Sequence, residues 1–219
     1  MKKILKTYRT FCPDLLTLAT LLVCPVVIFL MNMALVSEIG YLSLIFASVW
    51  MLYIDYFGDY FAYNGVLAKD YEYGMLRCSL QAKDLLKIGA VTDQIRRLIQ
   101  FTLSIVPTML LVMSTGKEDN LRIIFMSLSL IFGMYAANTA SLLLLRKVIT
   151  YNIYFSLGCF MVTVLGCAVA FLVGFLSYYL RIINPAVPLF VSLFISLHIT
   201  RFMVKAMQNN YYRSFKEAA

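Results

Sequence analysis

The sequence predicts an all-α polytopic membrane protein with six transmembrane helices and both termini in the cytoplasm. Three observations predict it. Hydrophobic residues make up 62% of the chain and charged residues only 14%, against about 25% charged in soluble domains, and the mean hydropathy is +0.82. Six apolar stretches lie at 15–36, 39–61, 98–115, 121–145, 153–178 and 186–206, each near the ~20 residues that cross ~30 Å of hydrocarbon. Basic residues collect in alternate connections. With the N-terminus inside, sixteen of the nineteen Lys and Arg residues are cytoplasmic, and Lys117, Arg122 and Arg181 lie outside. That asymmetry sets the expected topology.

The net charge of +8 has the same origin, facing anionic headgroups, so it gives no argument for nucleic acid. Six spans in 219 residues leave no length for a separate soluble domain, and 1–219 reads as one transmembrane domain. The basic start followed by an apolar run resembles a signal peptide. The run at 15–36 is longer than an h-region, however, and lacks a small-x-small cleavage site; it is expected to remain as the first helix.

Residues 1–14 predict an amphipathic interfacial helix, with Leu5, Tyr8, Phe11 and Cys12 toward lipid and Lys2, Lys6 and Arg9 toward water. Pro13 and Asp14 suit the start of the first span. The second span carries Asp55 and Asp59, four apart and so on one helix face. Pairing with Arg96, Arg97, Arg146 or Lys147 near the cytoplasmic end is the favoured expectation; an intramembrane ion or proton site is the other. The 62–97 region then reads as cytoplasmic, with two short interfacial helices joined around Gln81-Ala82, each apolar on one side and charged on the other.

In the fourth span Asn138 is expected to pack between helices, and in the sixth His198 is expected to hydrogen-bond from helix to helix. Arg201 snorkels to the inner interface. The fifth span runs on through Ser177-Tyr178-Tyr179 to Asn184-Pro185. It admits two readings: a break near Gly174 with a short outer re-entrant helix, or one tilted helix ending in an aromatic belt.

No catalytic constellation is present. The chain has one His, with no HExxH pair, no GxSxG elbow and no GxxxxGK[ST] phosphate loop. The five cysteines (Cys12, Cys24, Cys78, Cys159 and Cys167) lack paired metal spacing. No catalytic residue, metal or cofactor is therefore assigned to this chain.

The segment Tyr71-Glu72-Tyr73-Gly74-Met75-Leu76-Arg77, followed by Leu80 and Asp84-Leu85-Leu86-Lys87, resembles the cytoplasmic coupling element of ABC-2 type transporter permeases. In that family a Glu-x-x-Gly-like stretch and a leucine-rich short helix join the second and third helices. Here Gly74 falls one residue early, and Gln81-Ala82 stands where the family has a proline. The resemblance implies an ABC-2 (type V exporter-like) permease architecture in a bacterial cell membrane. Two copies, or one copy and a related chain, would dock on separate ATP-binding subunits that hold the ATP and Mg. Glu72 and Arg77 would pair with the motor, while Gly74, Met75, Leu76 and Leu80 would shape and fill its groove. A span surface rich in Phe, Tyr, Leu and Met suits a hydrophobic or amphipathic cargo such as a peptide, bacteriocin, antibiotic or lipid-like compound. The alternatives are a substrate-capturing membrane subunit of an ECF-like vitamin or metal importer, and a membrane scaffold that transports nothing.

Overall fold

A computed structural model of the chain describes residues 14–40, 42–67, 82–116, 119–148 and 152–208. Six helical rods make up the described residues. The first, α1, runs without a break through Asp14–Leu18, a π-wound turn Ala19–Val23, and Cys24–Ile39. The wide turn sits directly before Pro25. A proline offers no N–H and its ring crowds the carbonyl four residues back, and a local π turn accommodates both.

The others are α2 (Leu42–Leu67), α3 (Ala82–Ser114), α4 (Asn120–Val148), α5 (Asn152–Gly174) and α6 (Ala186–Gln208). Five stretches are long and apolar enough to cross a membrane: Ala19–Val36, Lys87–Ser114, Asn120–Ser141, Phe160–Ser177 and Ala186–Lys205. The remaining rod, α2, has a shorter apolar run, Leu42–Leu52, ahead of Asp55. The described residues are thus all-helical, with five helices long and apolar enough to span a membrane.

Two boundaries differ from expectation. α2 continues to Leu67 and α3 begins at Ala82 rather than at 98, so the second expected interfacial helix is the opening of α3 itself. Nothing between Ala82 and Arg97 stops a helix. Asp84 lies in the first turn, where an acid favours the positive dipole end. Hydropathy places Arg96 and Arg97 in water because it cannot register a partner; in the fold both are buried inside the bundle.

The fifth rod follows neither expected reading fully. Beyond Gly174 it widens into a π turn, Phe175–Tyr179, and stops. Leu180 N–H donates to the Phe175 carbonyl at 3.0 Å and Ile182 N–H to the Leu176 carbonyl at 3.1 Å. Arg181 takes the left-handed φ of 53°, a π-wide version of the usual αL stop. Among the described residues no separate helix lies between Tyr179 and Ala186, so the winding changes after Gly174 without a re-entrant element. Asn184 then starts α6, its Oδ1 accepting from the Ala186 N–H at 3.1 Å.

The rods form an open ring around α4, which packs on α2, α3, α5 and α6. α1 packs on α2 and α3, and α5 also lies on α2 and α6 on α3. α5 and α6 hardly touch each other, and the ring is open there. The core, including Ile28, Leu44, Met51, Leu52, Phe101, Ile105 and Ile123, sits among α1 to α4. α3 is the inverse of a soluble amphipathic helix. Ile95, Ile99, Leu103 and Leu110 face outward, while Gln94, Arg97, Gln100, Ser104 and Thr108 are buried at three- and four-residue spacing.

Candidate functional site

Asp55 of α2 is fully buried, and an unpaired carboxylate there would be prohibitively costly. Two neighbours on α3 answer it: Arg97 Nη1 donates to its Oδ2 at 2.5 Å and Arg96 Nη2 to its Oδ1 at 3.3 Å. Asn138 Nδ2 of α4 donates to the same Oδ2. One turn earlier on α3, Asp93 braces both guanidiniums, accepting from Arg96 Nε at 3.1 Å and Arg97 Nε at 2.8 Å. Among the described residues, two acids thus meet two bases.

Further hydrogen bonds widen the knot. Arg96 Nη1 donates to Gln100 Oε1 at 2.7 Å and to Thr20 Oγ1 at 3.3 Å. Thr20 belongs to the π turn of α1, and π turns recur at functional sites. Gln94 Oε1 accepts from Tyr135 Oη at 2.8 Å and from Thr139 Oγ1 at 3.1 Å, and Tyr135 Oη lies 2.7 Å from Thr200 Oγ1 of α6. Among the described residues α5 is the one rod that sends no side chain into this network. Farther along the α3 stripe, Asn32 Nδ2 of α1 donates to Thr108 Oγ1 at 3.3 Å. Three buried atoms of the knot (Gln94 Nε2, Gln100 Nε2 and Asn138 Oδ1) have no partner among the described residues, which suits ordered water.

On the open side of the ring lies a cavity of about 550 Å³. Its floor is α4, where Gly133, Ala137 and Ala140 leave space; Val169 and Ala170 of α5 form one wall, and Val191 and Ile195 of α6 the other. The lining is almost wholly apolar.

No protein family, no curated protein and no solved structure matches this chain.

The expected site residues fall out as follows. Asp55 and Asn138 meet in the knot, so Asn138 does more than pack. Asp59 continues α2 one turn beyond Asp55, and its side chain lies outside the described residues, as do Glu72, Gly74, Met75, Leu76, Arg77 and Leu80 and all but Asp14 of the expected interfacial helix at 1–14. His198 departs from its expected role. It is exposed on α6, with Nδ1 3.0 Å from the Phe194 carbonyl of its own helix and its ring 4.2 Å from that of Phe194. Its nearest acceptor is four residues back on the same face, so no bond to another helix forms among the described residues. Gln94, Gln100 and Tyr135 were not singled out from the sequence. The signal for the first two was the polar repeat 93–94, 97, 100, 104 and 108 within an apolar stretch.

Chemically, the knot joins helices. Among the described residues no cluster of three His, Cys, Asp or Glu side chains is placed to hold a metal. What the arrangement can do is tie α1 and α2 to α3, and α4 to α2, through charge-assisted hydrogen bonds, with neutral bonds joining α4 to α3 and, through Tyr135, to α6, so that a displacement of α3 is shared by four neighbours.

Proposed function

We propose that this chain is the membrane permease subunit of an ATP-driven exporter of the ABC-2 type. It would work as a pair, with a second copy or a related permease, on separate ATP-binding subunits in a bacterial cell membrane. The observation that carries this reading is the continuity of α3. Its 33 residues make a rod ~50 Å long at 1.5 Å per residue, leading from the coupling-like segment 68–81 into the charge knot and on to Ser114. A push on that segment by a closing ATPase would reach four other rods through one buried cluster. The inward- and outward-facing populations would shift accordingly.

The remaining assignments follow from this one. Both termini and the 68–81 segment lie in the cytoplasm, as the distribution of basic residues implies. ATP and Mg are bound by the partner, and no cofactor is assigned to this chain. Glu72 and Arg77 form rim ion pairs of small individual worth, and Met75, Leu76 and Leu80 supply the apolar anchors. The apolar cavity supports a hydrophobic or amphipathic cargo.

The test is a gentle-detergent pull-down of the tagged chain from its native membranes. A stoichiometric soluble ATP-binding subunit is expected, and Leu76→Asp with Leu80→Asp should lose both it and ATP-driven transport while the chain still inserts. Normal transport in the double variant would overturn the coupling role of the segment. A chain that purifies alone under several detergents would favour the importer-subunit or scaffold alternative.

A further inference from the structure

The cavity between α5 and α6 has a definite size and length. Its lining runs along α6 from Pro185 to Ile199, fourteen residues or ~21 Å of helix, longer than one ~15 Å leaflet of hydrocarbon. The lining along that length is almost wholly apolar, which suits a hydrocarbon chain lying against it.

One end of this passage is chemically distinct. Ser177 and Pro185 both line it, and the chain between them is the tight stop that ends α5 and starts α6. That connection carries Arg181, which is exposed and makes no ion pair with any described residue. Arg181 also holds a left-handed φ of 53°, a conformation unfavourable for a non-glycine residue. A guanidinium presents a planar fork that matches phosphate and carboxylate.

We propose that the α4–α5–α6 cavity binds the tail of a single-chain anionic amphiphile taken from the bilayer, with Arg181 receiving its headgroup. The tail lies along the small-residue floor at Gly133, Ala137 and Ala140, and the anion sits at the Ser177–Pro185 end. Opening between α5 and α6 lets the amphiphile enter sideways from lipid. α5, which among the described residues sends no side chain into the charge knot, is the wall that yields. The inference rests on the transport reading only in naming this amphiphile a cargo.

The experiment uses the full chain reconstituted in zwitterionic vesicles, without ATP or any partner. The probes are a hexadecyl phosphate and a hexadecyl trimethylammonium, each with a diazirine in the tail, and the labelled peptides are mapped after irradiation. The phosphate probe should label the facing segments of α4, α5 and α6 about fivefold more than the ammonium probe, the upper end for an exposed ion pair. Inorganic phosphate should not compete, since the tail supplies most of the binding. Val169→Trp should abolish this labelling by filling the passage, and Ile195→Trp on the opposite wall serves if that variant fails to assemble. Arg181→Asn, which tolerates the left-handed backbone, should remove the headgroup preference and keep tail labelling.

Equal labelling by the two probes in the parent chain would overturn the proposal. So would labelling that ignores the Trp variants, or efficient disulfide cross-linking of Val169→Cys between two copies, which would show a second chain covering the opening. Each of these results leaves the ATPase pull-down unaffected, so the two readings fail separately.

Discussion

Asp55 shows how a single buried residue organises this protein. Its carboxylate accepts from two guanidiniums and an amide on two other helices, and Asp93 fixes both guanidiniums from below. Removing one partner of such a pair leaves an uncompensated buried charge and costs ~3–5 kcal/mol, whereas removing both is often nearly neutral. Asp55→Leu should therefore lower the thermal midpoint in detergent substantially, as should Arg97→Leu. The double variant should recover much of the loss, because Arg96 keeps Asp93. Strictly additive losses across that double-mutant cycle would mean that the knot contributes nothing as a pair. From the sequence, Asp55 and its possible arginine partners were legible as opposite charges near one end of neighbouring spans. The choice among four candidate partners was not, because it depends on the rotation of α3 about its own axis.

At the scale of elements, the rod α3 is the feature on which the transport reading depends. A proline in a helix interior removes a hydrogen bond and costs ~3 kcal/mol. Val91 is an exposed position between the start of α3 and the knot. Val91→Pro should leave insertion and capture of an ATP-binding partner intact, yet abolish the coupling between ATP hydrolysis and transport, read as ATPase activity that cargo no longer stimulates. Retained stimulation would show that α3 is not the lever. The helices themselves could be located from hydropathy with modest error. The start of α3 could not, since Arg96 and Arg97 mimic an aqueous boundary until the carboxylates that bury them are known. The end of α5 at Tyr179 falls within one residue of the expected 178, but its π winding from Phe175 escaped, because a π turn closed by a left-handed arginine has no compositional marker.

For the whole molecule, the open ring around α4 and the sidedness of its ends make a joint prediction. Asp84, at the start of α3, and Asp119, just before α4, are both exposed and flank one membrane-spanning rod. Asp119→Cys should react in intact cells with an impermeant maleimide above the background of the parent chain, and Asp84→Cys only after permeabilisation. Labelling of Asp84→Cys in intact cells would refute the cytoplasmic placement of the 68–81 segment. The sequence by itself determined the helical class, the membrane setting and the approximate spans, because desolvating backbone in hydrocarbon leaves a long apolar helix as the main solution for such stretches. Only the tertiary structure decided that the polar face of α3 points inward, that α1 to α4 meet in one charge cluster, and that an apolar cavity opens between α5 and α6. Each of those depends on which faces meet. Hydropathy along a chain records how apolar a residue is, not what stands opposite it.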